Sequence, residues 1–157
     1  MPKHEFVLED RSVADSSSFL WDSIGGINRE GLTEDDYVSF DDEFITYIND
    51  SLNWIPTWNP STKEVGHGLN NYGVTIIDDC NLSSFKRIIQ AWTDMFGFAS
   101  ERIVLTGSYY TTGESEQYGK YERLEYNKSD LLKKLIKLIE LTDRATDEDK
   151  CILHLGI

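Results

Sequence analysis

The chain has 157 residues, a formal charge of −13 and a pI near 4.5. Hydrophobic residues make up 39%, with four Trp, eight Tyr and seven Phe, which is a globular composition large enough for one core without disulfides or metals. The charge argues against nucleic acid and anionic membranes as partners and for a cationic one.

The opening "MPKHEFVLEDRSVADSSS" lacks the apolar stretch of a signal peptide, and no run approaches a membrane span. The expectation is a cytoplasmic protein, with Cys80 and Cys151 as reduced, buried thiols and no disulfide.

In chain order, "KHEFVLED" predicts a short strand over 4–8. "DSSSFLWDSI" offers caps at Asp15 or Ser16, with Phe19, Leu20 and Ile24 on one face of a short helix that Gly25 and Gly26 stop. Thr33 followed by Asp36, and Ser39 followed by Asp42, resemble N-cap signals. Phe44, Ile45, Ile48, Leu52 and Ile55 then recur at helical spacing, which predicts a helix over about 41–54, ended by Pro56. "WIPTWNPSTKEVGHGLNNYG" reads as a loop, with Asn70 or Asn71 in a left-handed conformation.

From residue 73 the order is strand, helix, strand, strand, helix, strand. "VTIID" is a strand, and "NLSSFKRIIQAWTDMFG" is a helix with Gly97 at its C-cap. "ERIVLTGSYY" and "KYERLEY" form a hairpin around a polar turn. "NKSDLLKKLIKLIELTDRA" is an amphipathic helix capped by Asn127, with Leu131, Leu132, Leu135, Ile136 and Ile139 inward and Lys133, Lys134 and Lys137 outward. "CILHLGI" is apolar on both sides, which suits a central strand. The expected fold is a single α+β domain over 1–157, a mainly antiparallel or mixed sheet with helices packed on it and a mainly helical acidic half over 1–60. A ferredoxin-like arrangement is compatible with the order of elements.

No motif for chemistry appears. "EDDYVSFDDEF" lacks the alternating ligands and the central Gly of a calcium loop. His4, His67, His154, Cys80 and Cys151 show no zinc spacing, so no metal and no cofactor is expected. There is no nucleophile elbow, Cys80 follows two aspartates, and His154 lies in an apolar strand as a core histidine would. "GHGLNNYG" precedes a strand and lacks the lysine of a phosphate loop. The chain is read as a binding protein and not as an enzyme.

The acidity is uneven. Residues 1–60 hold thirteen acids against Lys3, Arg11 and Arg29, a net of −10. Six of those acids fall between 34 and 43: Glu34, Asp35, Asp36, Asp41, Asp42 and Glu43. Helix capping accounts for one or two acids per helix, at about 0.3–1 kcal/mol each, and leaves the excess unexplained. Steering toward a basic partner explains it, and Trp54 and Trp58 in the adjacent "NWIPTWNP" are residue types that anchor interfaces.

The stretch "NNYGVTIIDDCNLSSFKRIIQAWTDMFGFASERIVLTGSYY" and the ending "CILHLGI" resemble the immunity proteins of bacterial contact-dependent growth inhibition and polymorphic toxin systems, over about residues 70–157. The resemblance implies a toxin inhibitor that binds one cognate toxin domain, a basic nuclease. The candidate partner-binding residues are then Glu34, Asp35, Asp36, Tyr37, Asp41, Asp42 and Asp50, with Trp54 and Trp58 as anchors. Two rivals stand beside it. One is an acidic adaptor or scaffold. The other is a small enzyme with a site built from His67, Asp78 and Asp79.

Overall fold

The computed structural model of the chain describes residues 2–14, 20–21, 27–28, 31–113 and 118–157. Within them the elements follow in order as β1 (Lys3–Glu9), α1 (Arg11–Ala14), β2 (Leu20–Trp21), β3 (Ile27–Asn28), a 3₁₀ turn (Glu34–Asp36), β4 (Tyr37–Asp41) and α2 (Asp42–Leu52). There follow β5 (Pro56–Asn59), β6 (Glu64–His67), β7 (Val74–Ile77), α3 (Cys80–Gly97), β8 (Arg102–Tyr110), β9 (Lys120–Asn127), α4 (Lys128–Asp147) and β10 (Cys151–Leu155).

Six strands form one antiparallel sheet in the order β4-β1-β10-β7-β5-β6. As its two apolar faces predict, β10 lies in the interior, between β1 and β7, and all five of its residues are buried. Alternation along β1 sends Phe6 and Leu8 to the face that α2, α3 and α4 cover. The core cluster there includes Phe44 and Ile48 from α2, Phe85 and Ile89 from α3, and Leu135 and Leu138 from α4. Each fully buried Phe or Leu contributes about 1.5–3 kcal/mol to folding. On the opposite face Val7, Ile76, Cys151, Leu153 and Leu155 pack with Ala14, Leu32 and Trp58. The architecture is α+β with the three long helices on one side.

The β8–β9 hairpin stands apart as its own two-stranded sheet. Its base is tied down by Ile103 and Leu124, both buried, with Leu105 and Tyr126 against the helical core. Because β8 and β9 leave the main sheet, the ferredoxin-like option does not hold.

Several expectations change. The segment 54–73 is not a loop but carries the β5–β6 hairpin. Pro56 is tolerated as the first residue of its strand. The Asn59 side chain closes the turn by accepting from the Ser61 N–H at 2.9 Å and the Thr62 N–H at 3.3 Å. Asn70 and Asn71 are not left-handed. Gly68 (φ 72°) and Gly73 (φ 156°) take that role, and a Cβ on Gly68 would lie 2.2 Å from the Asn53 side chain. Ser39 is no cap, since it lies inside β4, and Asp41 precedes α2.

Ile136 is 46% exposed, and the buried stripe of α4 runs through Leu131, Leu135, Leu138, Leu141 and Ala145 instead. Gly97 closes the last turn of α3, and the cap is Phe98. Cys80 is exposed at the start of α3, whereas Cys151 is buried and donates its S–H to the Glu9 carbonyl at 3.3 Å. Of the helix expected around 15–24, Leu20 and Trp21 pair instead with Ile27 and Asn28, and Asp15, Ser16, Phe19 and Ile24 lie outside the described residues. The first sixty residues, expected to be mainly helical, supply β1, β4 and β5 beside α2. No helix among the described residues is long and apolar enough to cross a membrane.

Candidate functional site

The two acidic triplets of residues 34–43 meet different surroundings. Glu34, Asp35 and Asp36 form the 3₁₀ turn that leads into β4. Thr33 donates to the Asp36 carboxylate from its N–H at 3.3 Å and from its hydroxyl at 3.1 Å, so the capping signal is real. The turn is then fastened to α4. Arg144 donates to the Asp36 carboxylate at 3.1 Å and to the Asp35 carbonyl at 3.0 Å. Lys137 donates to the Glu34 carbonyl and lies 5.9 Å from the Tyr37 ring. Partial burial pushes the Asp36 carboxyl up, but the hydrogen bonds from Arg144 and Thr33 outweigh it and hold the group below the usual carboxylate range.

Asp41, Asp42 and Glu43 sit where β4 passes into α2, and the helix dipole favours the last two. Asp42 reaches inward, with Oδ1 2.9 Å from His4 Nε2, and His4 Nδ1 lies 2.8 Å from His154 Nε2. Both rings are fully buried and stack at 5.1 Å. Burial, and then the neighbouring His4, push His154 well below the ordinary histidine range, so its ring is neutral near pH 7. The contacts His154 Nε2–His4 Nδ1 and His4 Nε2–Asp42 link the three side chains into one hydrogen-bonded chain. Among the described residues His154 Nδ1 has no partner. Asp42 is therefore half structural, anchored from behind, while its side chain keeps 30% exposure.

Glu43 faces outward, where α2 and the β8–β9 arm enclose an open groove of about 400 Å³. Asp42, Glu43, Thr46 and Tyr47 form one wall. Thr106, Gly107 and Ser108 form the other, with Glu122 from β9. Among the described residues no cation pairs with Glu43 or Glu122. Gly107 makes room for Glu122, since a Cβ there would lie 3.0 Å from the Glu122 Cβ and 3.2 Å from Leu124.

Gly119 does the same for Tyr109, whose ring atoms would be 2.2 Å from an added Cβ. Tyr109 packs edge-on against Tyr121 at 5.1 Å, and Lys120 lies 5.5 Å from the Tyr110 ring. Tyr109, Tyr118 and Tyr121 remain 57%, 80% and 63% exposed. Such tyrosines present large amphipathic area at low entropy cost, as anchors of protein interfaces do.

Behind α2 a smaller hollow of about 180 Å³ is lined by Asp41, Asp130, Lys134 and Tyr126, among others. Burial, with Asp41 and Glu43 adding to it, pushes the Tyr126 hydroxyl up to about 12 and keeps it protonated. Glu125, next in line, is already held by Arg102 at 2.9 Å and Arg123 at 2.7 Å, and these bonds lower its pKa.

The other predicted residues are dispersed. Asp50 is exposed further along α2. Trp54 is 74% exposed beyond its end, whereas Trp58 packs on the opposite face of the sheet with Arg11 5.6 Å from its ring. Nothing gathers His67, Asp78 and Asp79. His67 is exposed on the outer strand β6, Asp78 is paired with Arg11 at 2.7 Å, and Asp79 holds the N-cap position of α3 at φ 48° without a side-chain capping bond. Among the described residues no group of three or more His, Cys, Asp or Glu could hold a metal ion.

The residues that sequence reasoning missed are Glu43, which it counted in the acidic cluster but left out of the partner-binding set, and Glu122, Tyr47, Tyr109 and Tyr121. One signal was present, since half of the eight tyrosines fall between 109 and 121. No protein-family model, no curated protein and no solved structure matches the chain.

Proposed function

We propose that the protein is an immunity protein that binds and neutralises a basic bacterial toxin domain, and that the contact is made around the first turn of α2 and the β8–β9 arm. The observation that carries this is the groove lined by half-buried Glu43 and Glu122, with which no cation pairs among the described residues, beside exposed tyrosines on the arm. Acids elsewhere, such as Asp36, Asp78 and Glu125, are neutralised within the fold. A groove with uncompensated carboxylates and rigid aromatic neighbours attracts a cationic surface and then holds it. For a nuclease, carboxylates would occupy the cationic ground that otherwise receives phosphate.

The test is affinity capture from the native cell with a tagged copy, at low and at high salt, followed by an activity assay on what is retained. A single basic toxin fragment, bound stoichiometrically and inhibited, supports the reading. The Glu43→Lys, Glu122→Lys double variant should slow its association at least tenfold at low salt. A housekeeping partner would support an adaptor instead, and retention indifferent to the double variant would overturn the assignment of the surface.

A further inference from the structure

We infer that the outer edge of β8 is a strand-addition site for an extended, lysine- or arginine-bearing segment of a protein partner. This rests on the basic-partner reading above and specifies how that partner is held. The β8–β9 arm is a two-stranded sheet, so among the described residues no third strand pairs with β8 on the side away from β9. A free edge presents a row of unpaired N–H and C=O groups, and proteins ordinarily guard such edges with charge, proline or brevity.

The other exposed strands follow that habit. β6 has only four residues, one of them Glu64, and β9 carries Lys120, Glu122, Arg123 and Glu125. β8 does not. From Ile103 to Tyr110 it has eight residues with no charge and no proline, rich in β-branched and aromatic side chains.

The groove borders this strand over a short stretch, where Glu122 of β9 lies over Gly107. Three consecutive residues, Thr106, Gly107 and Ser108, line it. Side chains alternate between the faces of a strand, so three in a row line one groove only where the strand turns its edge or backbone to it. The register shift between Thr106 and Tyr109 is where that happens. A segment lying there would take main-chain hydrogen bonds from β8 and direct alternate side chains toward Asp42, Glu43 and Glu122.

Charge selects the occupant. A second copy of this chain would bring the same three carboxylates against one another and carry its own −13, whereas a cationic segment is complementary.

The probe is an acetylated, amidated hexapeptide alternating lysine and valine, titrated into the ¹⁵N-labelled full chain. The expected result is a set of shifts in the amides of 104–110 and 42–47, with slowed exchange of β8 amides. Of two N-methylated isomers, one at the lysines and one at the valines, whichever removes the edge-facing N–H groups should bind at least tenfold more weakly. A glutamate–valine peptide should give no shifts. The Glu43→Lys, Glu122→Lys variant, checked for an unchanged unfolding transition, should bind the lysine peptide at least tenfold more weakly.

Binding of both N-methylated isomers as tightly as the parent peptide, or shifts centred elsewhere, would overturn strand addition. Failure of the basic-partner reading has a different signature, a captured protein whose retention ignores the double variant whatever the peptides do.

Discussion

The triplets Glu34–Asp36 and Asp41–Glu43 are the same in composition, one Glu and two Asp each, yet the fold gives them opposite tasks. The first is drawn onto α4 by Arg144 and Lys137 and closes a turn. The second has one member anchored to a buried histidine pair and another left open to a groove. An acid serves structure where a remote cation meets it, and is available to a partner where none does. Glu5 shows a third outcome. It is 5% exposed on β1, and among the described residues its Oε2 has no partner.

Four measurements would break or sharpen this contrast. His4→Ala should have the largest effect on stability, a loss of about 2–4 kcal/mol in denaturant unfolding. It leaves a cavity and strands both Asp42 and His154. A loss under about 0.5 kcal/mol would mean that Asp42 is as free as Glu43.

Glu5→Gln comes next. Burial pushes the Glu5 carboxyl up to about 7, with Lys3 and Lys134 only partly opposing it. A raised acid favours the folded state fully below its unfolded value near 4.5, and that contribution is lost as pH rises to about 7. The glutamine variant should therefore match the parent near pH 4.5 and exceed it by about 3 kcal/mol at pH 8.

Asp36→Ala should cost about 1 kcal/mol at low salt and less at high salt, since the pair with Arg144 is partly exposed. Its depressed carboxyl makes this contribution fade as pH falls below about 4. Glu43→Lys with Glu122→Lys should move stability least, within about 0.5 kcal/mol, while changing partner association most. A large destabilisation there would place these acids with Asp36.

Periodicity made α2, α3 and α4 legible because each buries one continuous stripe, and the apolar run Cys151–Leu155 announced an interior strand. It failed for β4, β5 and β6. These are four or five residues long, and what makes them strands is pairing with segments far off in sequence. Prolines and asparagines around β5 and β6 read as loop although they shape one tight turn.

The acids were legible as a cluster but not as a division of labour. Asp36 meets Arg144 across 108 residues, and Glu122 joins Glu43 only because the hairpin folds back beside α2. Ile136 shows the same limit on a smaller scale, for its spacing allowed burial and the neighbouring elements chose Leu138.

The position of β10 has a consequence for synthesis. Phe6 stands opposite His154 in the sheet, so a residue of β1 waits for a partner that is synthesised much later. Until residues 151–155 are released, β1 and β7 have no strand between them, and the sheet has no middle on which to condense. Assembly must therefore follow translation of this segment, and it should be slow for so small a protein, on the order of milliseconds to seconds, because distant contacts dominate it. Nascent chains arrested before Cys151 should stay protease-sensitive, and protection against any bound partner would begin only once the last strand has been inserted.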